Sequence, residues 1–372
     1  MKETPFPDEK PEEADRPSIE PPEGSEAIRP EPGNLFESNP IDLNVLGELR
    51  GQNILNAGQF TFEQVTELCK FAAVLEKMEI WPYHPLDGKI VVTAFFEAST
   101  RTRTSFESAI LRLDGKVISI ADGSTTGQAK GESLADIGEM FNAYADCVVM
   151  RHTKTEAPEE ILQNLRIPLI NAGNGSGEHP TPALADGFAL LKWNPALASP
   201  PVVGSVKMNL GILGTPGSMR AVKSFLLMAL LFQDHIGKVT VISEMADPLG
   251  EEVIQELTSA NIDYEVSNDV REHLPELDII YMNSIAFLGD SYKNMDSRFK
   301  LNSESPIKKS AVILHPLARL DELDTSLDKT PHNLYFSQAH GAVFIRQALL
   351  MAVLDRLKAV PNLIDLDSNT TS

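Results

Sequence analysis

The run Lys89-Ile90-Val91-Val92-Thr93-Ala94-Phe95-Phe96 constrains this chain more than any other stretch. It is continuous, apolar and rich in β-branched residues, the pattern of a strand buried on both faces, and such strands belong to parallel sheets covered by helices. It leads into Glu97-Ala98-Ser99-Thr100-Arg101-Thr102-Arg103-Thr104-Ser105, after which Phe106, Ala109, Ile110 and Leu113 recur at helical spacing. A segment crowded with hydroxyls and guanidinium groups therefore sits where a strand becomes a helix. A helix N-terminus leaves backbone N–H groups unpaired and carries partial positive charge, so this junction is a phosphate cradle. The ordinary alternative is capping by Ser99 or Thr100 with both arginines solvated. The position at the C-terminal edge of a buried strand, where open α/β sheets bind ligands, favours the cradle.

The rest of the chain repeats the alternation of strand and helix. Thr61-Phe62-Glu63-Gln64 is a capping box, and Val65, Leu68, Phe71, Ala72 and Leu75 follow as one apolar helical face. Strands are expected at 89–96, 116–120, 146–150 and 167–170, with a helix over 132–144. After the Pro/Ala/Ser-rich stretch 195–206, strands are expected at 208–214, 238–242 and 278–282, helices at 221–232 and near 251–260, and a long closing helix around 343–357. The pattern predicts an α/β protein of two doubly wound parallel-sheet domains joined by helices. The expected boundaries are 41–195, completed by a C-terminal helix within 337–360, and 205–335. Residues 1–40 alternate prolines with Glu and Asp and almost lack apolar side chains, so a disordered tail is expected there, with order starting near Ile41.

Composition narrows the partners. The chain has 372 residues, 42% of them hydrophobic, and a formal net charge of −21, with a pI near 4.8. That balance argues against nucleic acid or an anionic membrane as main partner, and an anionic substrate would need a local basic site. No apolar run reaches the roughly 18 residues of a membrane span, and the N-terminus does not read as a signal peptide, so a cytoplasmic protein is expected. Cys69 and Cys147 lie in apolar patterns and read as buried thiols.

Phe-Phe-Glu-x-Ser-Thr-Arg-Thr-Arg-x-Ser-Phe-Glu closely resembles the carbamoyl-phosphate loop of the aspartate and ornithine carbamoyltransferases. Further motifs extend the resemblance. The loop Thr126 to Glu132 matches a family loop that reaches into the neighbouring subunit's active site, which singles out Thr126 and Lys130. Arg151-His152, read alone, is either a surface terminus or a ligand group; the resemblance makes Arg151 a carbamoyl-phosphate contact. The glycines of 171–177 only weakly suggest a dinucleotide loop, whereas His179-Pro180-Thr181 matches the family's His-Pro-Thr-Gln helix start. There Pro182 replaces the glutamine that helps hold the carbamoyl amide. Arg220 falls in register with the arginine that binds the acceptor's carboxylate. His315-Pro316-Leu317 matches the family's loop whose backbone carbonyls accept from the amide.

One region departs from the pattern. Where the aspartate enzymes continue Thr-Arg-Val-Gln, this chain has Asn283-Ser284-Ile285-Ala286, and the ornithine-type signatures are missing as well. The resemblance thus implies a homotrimeric carbamoyltransferase binding carbamoyl phosphate and an amine, with no metal or organic cofactor required. Ser99, Thr100, Arg101 and Thr102 would hold phosphate. Thr102, Arg151 and His179 would polarise the carbonyl, Pro316 and Leu317 would hold the amide, and Thr126 and Lys130 would come from the neighbour. Lys130, Arg220 and Leu317 would bind the acceptor. The altered 283–286 segment leads to the expectation of an acceptor other than aspartate, with Lys293 or Arg298 as candidate replacements for the missing arginine. The alternatives are an aspartate carbamoyltransferase with a rebuilt pocket, or a non-catalytic homologue acting as a structural or regulatory partner.

Overall fold

The computed structural model describes residues 30–37, 40–78, 83–283 and 299–360. The chain enters through two short helices, α1 (Gly33–Phe36) and α2 (Leu43–Gly47). They lie against α3 (Phe62–Lys77), whose Thr61/Gln64 capping box forms as expected. Order thus begins earlier than Ile41. Leu35 is buried in the core, and Lys77 pairs with Glu37, so this piece of the tail has an apolar anchor and an ion pair that hold it. The expectation for residues 1–29 lies outside the described residues.

The first sheet contains β1 (Ile90–Phe95), β2 (Lys116–Ile120), β3 (Cys147–His152) and β4 (Leu169–Asn174), all parallel, in the order β2-β1-β3-β4. It alternates with α4 (Thr100–Arg112), α5 (Leu134–Tyr144), α6 (Ala157–Leu162) and α7 (Pro180–Trp193). The second sheet contains β5 (Met208–Leu213), β6 (Ile236–Ile242), β7 (Asp263–Ser267), β8 (Ile279–Met282) and β9 (Val312–Leu314), again parallel, in the order β7-β6-β5-β8-β9. Its connections include α8 (Arg220–Leu230) and α9 (Gly250–Ser259). The closing helix α10 (Tyr335–Val353) returns to pack on α3, α4 and α7. In each sheet the strand order reverses beside the first strand, at β1/β3 and at β5/β8. Crossovers diverge there and leave a crevice at the strand C-termini. The two crevices face one another across one cavity.

Several boundaries differ from the sequence expectation, each for a tertiary reason. Arg151 and His152 lie inside β3 and are buried, because Phe96 N–H bonds Arg151 O at 2.8 Å and Gly175 N–H bonds His152 O at 2.9 Å. β4 runs on through Asn171-Ala172-Gly173, which read as loop. α10 starts before Val343 and ends at Val353. Beyond it Asp355 takes φ 58°, and Arg356 N–H returns to Met351 O at 2.7 Å, a left-handed stop. β7, β9 and α6 were not anticipated: β7 is an exposed edge strand, and β9 and α6 are too short to show a period. Ser284, Ile285, Ala286, Phe287, Lys293 and Arg298 lie outside the described residues.

Candidate active site

Ser99 occupies the N-cap of α4 with extended backbone, yet its side chain makes no capping bond. The capping alternative is thus set aside, and the first-turn N–H groups stay available. The hydroxyls sort by position. Thr104 bonds back to Thr100 O at 2.7 Å and Ser105 to Arg101 O at 2.6 Å, so both are engaged by their own helix. Ser99, Thr100, Thr102, Thr104 and Ser105 all line the cavity, which has a volume of about 570 Å³, and of these Ser99, Thr100 and Thr102 make no such bond back to the helix among the described residues. The two arginines of the motif part company. Arg101 lines the cavity and donates to Leu317 O at 2.5 Å, whereas Arg103 turns to Ser119, at 3.2 Å, and Glu107, at 3.5 Å, and braces α4 on β2.

Arg151 reaches the same cavity from β3, adjacent in register to Phe95. Its Nη2 donates to Glu97 Oε1 at 2.7 Å and its Nη1 to Ala172 O at 3.3 Å. Gly173 makes room for it. At φ 118° a side chain would be strained, and a Cβ would stand 3.0 Å from Arg151 Nη1. His179 caps the approach to α7, and its Nε2 lies 3.3 Å from Arg151 Nη1. A guanidinium only donates, so Nε2 accepts and the ring proton sits on Nδ1, a buried atom with no partner among the described residues. Burial first, then the charges of Arg151, Arg220 and Arg346, hold the His179 pKa well below the usual range, so the imidazole is neutral. Neutral imidazole with an unspent N–H is a donor suited to an oxyanion.

Across the cavity stand Arg220 at the start of α8, Asn283 after β8, and His315-Pro316-Leu317 after β9. Arg220 grips Glu97 with both terminal nitrogens, at 3.0 and 3.4 Å, and also donates to Gly175 O. One turn further along α8, Ser224 accepts from His179 N–H at 3.0 Å and donates to Glu178 at 2.6 Å. One face of α8 therefore joins the two halves. Burial alone would raise the Glu97 carboxyl, but the hydrogen bonds and charges of Arg220 and Arg151 outweigh it and hold the pKa below the usual value. The Leu317 backbone lies at φ 54°, uncommon for such a residue. A buried brace holds it: Leu317 N–H donates to His315 Nδ1 at 2.9 Å, and His315 Nε2 lies 3.0 Å from Glu322.

Other residues at the site escaped the sequence reading. Arg346 of α10 lines the cavity, fully buried, with burial lowering its pKa to about 10, so it stays charged at neutral pH. Asp186 of α7 is buried, and its pKa is pushed up to about 7 by loss of water. Gln338 links Asp186 Oδ1, at 2.5 Å, to His315 N–H, at 2.9 Å. A lone arginine on a helix apolar on every side was the available signal for Arg346. Pro182 lines the cavity and offers no side-chain hydrogen bond. Arg151 Nε, Asp186 Oδ2 and Arg346 Nε, all of residues lining the cavity, join His179 Nδ1 as buried polar atoms without partners among the described residues. Such a concentration marks a place where a ligand completes the bonding. Thr126 and Lys130 do not reach this cavity. Lys130 is exposed at the end of a short turn, and Thr126 Oγ1 donates to Gly123 O at 2.7 Å.

Comparison with known proteins agrees with this geometry. The model for the aspartate/ornithine carbamoyltransferase carbamoyl-P binding domain matches residues 52–192, and that for the Asp/Orn binding domain matches residues 207–353. The aspartate carbamoyltransferase catalytic subunit of Clostridium kluyveri is 32% identical over 312 residues, covering 82% of this chain and 99% of that one. The corresponding subunit of Alkaliphilus oremlandii is 34% identical over 324 residues, covering 85% and 95%. The crystal structure of aspartate transcarbamoylase from Trypanosoma cruzi in complex with carbamoyl phosphate and aspartate superposes with a TM-score of 0.72 at 28% identity, covering 83% of this chain and 98% of that one.

Proposed function

The chain belongs to the aspartate/ornithine carbamoyltransferase family and is a carbamoyltransferase, and from that premise we propose that it moves the carbamoyl group of carbamoyl phosphate onto the amine of aspartate. The observation that carries this reading is Arg220, which stands at the cavity and already holds a carboxylate, that of Glu97, with two prongs. An amino acid's carboxylate satisfies the same fork. The expectation of a different acceptor rested on Ser284 and Ala286, outside the described residues. The relatives named aspartate carbamoyltransferase support aspartate instead.

In this mechanism Ser99, Thr100, Arg101 and the free N–H groups of α4 bind the phosphate dianion. Thr102, Arg151 and the neutral His179 donate to the carbonyl oxygen. The carbonyls of Pro316 and Leu317 accept from the carbamoyl NH₂, a task in which Pro182 takes no part. The amine lone pair attacks the carbonyl carbon, the donors stabilise the oxyanion, and the C–O bond to phosphate breaks with its electron pair leaving on phosphate. The amine proton passes to phosphate or water. Preorganised electrostatics and positioning supply the acceleration. The unit 41–195, closed by α10 (Tyr335–Val353), acts as the carbamoyl-phosphate half, and 205–335 as the acceptor half.

Thr126 and Lys130 serve the site of a neighbouring copy in a homotrimer. Their distance from the chain's own cavity supports this, as do the exposed apolar Leu111, Ile118, Met140 and Tyr144 on α4, edge strand β2 and α5. Mixing Arg101→Ala with Lys130→Ala chains is expected to restore part of the activity, and no recovery sinks the shared site. No described helix is long and apolar enough to cross a membrane.

Steady-state kinetics with aspartate, monocarboxylic amino acids and simple amines tests the acceptor. Aspartate is expected to give the highest kcat/KM. A higher value for a monocarboxylic amino acid would overturn the aspartate assignment.

A further inference from the structure

The turn Gly127–Lys130, which carries Lys130, is tied to the strand that carries Arg151 by one side-chain hydrogen bond among the described residues. Gln128 Nε2 lies 2.9 Å from Nε2 of His152, the residue after Arg151, and the amide's oxygen and nitrogen are interchangeable by a half-turn. The other ring nitrogen, Nδ1, accepts from Lys154 N–H at 2.9 Å. That bond places the proton of the neutral ring on Nε2, so the Gln128 amide meets it through its oxygen. The ring is buried and packs against Phe96 with centroids 5.3 Å apart. Burial first, then Lys154, lower its pKa against the smaller opposing influence of Glu160 and Glu97, which keeps it neutral and the tautomer fixed.

Elsewhere the turn is held mostly by its own bonds: Glu132 N–H to Gly127 O, Gly131 N–H to Gln128 O, and Gln128 N–H to Thr126 Oγ1. Those bonds fix its shape but not its placement on the body of the protein. We infer that Gln128 and His152 form a latch that pre-positions the lysine-bearing turn, which makes Gln128 a positioning residue for the carbamoyl-transfer site of the neighbouring copy. This inference rests on the proposal that Lys130 serves that copy. The latch connects the turn to the residue next to Arg151, so one chain's own site and the group it lends share a single strand end.

A latch of this kind acts on the fraction of chains whose turn stands ready before substrate arrives. Losing it raises the apparent dissociation constant in proportion, while saturating substrate draws the turn back into place. One hydrogen bond corresponds to a change of about three- to ten-fold in that fraction. The test compares the full-length protein with Gln128→Leu and Gln128→Glu, in kinetics with carbamoyl phosphate and aspartate and in amide hydrogen exchange. Gln128→Leu is expected to raise KM for carbamoyl phosphate about three- to ten-fold and to leave kcat within about two-fold. Its amides over 127–131 should exchange faster while β3 stays protected. Gln128→Glu keeps an acceptor for Nε2–H and is expected to keep the turn protected.

Unchanged exchange in Gln128→Leu overturns the latch, and so does an equal loss of protection in β3, which would make Gln128 a general support of the fold. Lys130→Ala, assayed alongside, separates the two levels. Wild-type kinetics in that variant would remove the turn from the site, while the exchange data would still decide whether Gln128 and His152 hold it.

Discussion

The edge of the cavity contributed by the first sheet sets two buried, mutually braced side chains, Arg151 and His179, behind the exposed Arg101, whereas the edge contributed by the second presents backbone and neutral groups around Arg220. Arg151 and His179 are each less than a tenth exposed and touch one another, and Gly173 is shaped around the guanidinium. Opposite them, Leu317 and Pro316 offer carbonyls, Asn283 an amide, and Arg220 a guanidinium borrowed by Glu97. Under the proposed function, the difference follows from what each edge recognises. A phosphate and a developing oxyanion need fixed donors whose reorganisation cost has been met during folding. An acceptor's carboxylate needs a fork that can exchange one partner for another, as the Arg220 fork on Glu97 can.

Two substitutions probe that contrast from either side. Arg151→Ala removes a donor to the developing charge, and kcat is expected to fall by about 10²–10³ whatever the acceptor, read from saturating steady-state rates. A loss confined to KM would mean that Arg151 only binds, and the first edge would then differ less from the second. Arg220→Ala removes a charge-assisted fork worth about 1.5–3 kcal/mol. The expected result is a rise of roughly ten- to hundred-fold in KM for aspartate, with carbamoyl-phosphate affinity by calorimetry changed much less. If both substrates weaken equally, the assignment of separate edges collapses.

The two edges were unequally legible in the sequence. The strand-to-helix junction proposed to hold phosphate was visible because a buried strand, a helix period and a cluster of hydroxyls and arginines fall within one short stretch. Even there Arg101 and Arg103 looked alike. Glu107, one turn on in the same helix, and Ser119 on β2 turn Arg103 away, and only the second of these depends on tertiary placement. Arg346, Asp186 and Gln338 were hidden because they sit in helices α7 and α10, where a sparse polar residue in an apolar helix does not announce which neighbour it meets. The second edge was legible only through resemblance, since Arg220 and His315-Pro316-Leu317 are scattered along the chain and meet only when β5, β8 and β9 align. β7, β9 and the true extent of β3 and β4 depended on pairing partners, which no local pattern contains.

Glu97 belongs to the first edge by sequence but holds the arginine of the second, so its replacement tests how the edges communicate. In Glu97→Gln the carbonyl still accepts, but the charge that pairs Arg151 and Arg220 is gone. An unfolded glutamate titrates near 4.3, and the folded carboxyl lies lower because the arginines outweigh burial. A depressed carboxyl contributes stability that is fully present above the unfolded value and is lost as pH falls through the folded one. Wild type is therefore expected to be more stable than Glu97→Gln at neutral pH, with the gap closing on acidification below about 4.3. The carboxylate keeps some contact with solvent, which limits the gap to about 0.5–1 kcal/mol. Urea unfolding across the acid range measures it. A gap that persists unchanged at low pH would place the effect in packing rather than charge, and Glu97 would no longer be the group through which the two edges hold one another.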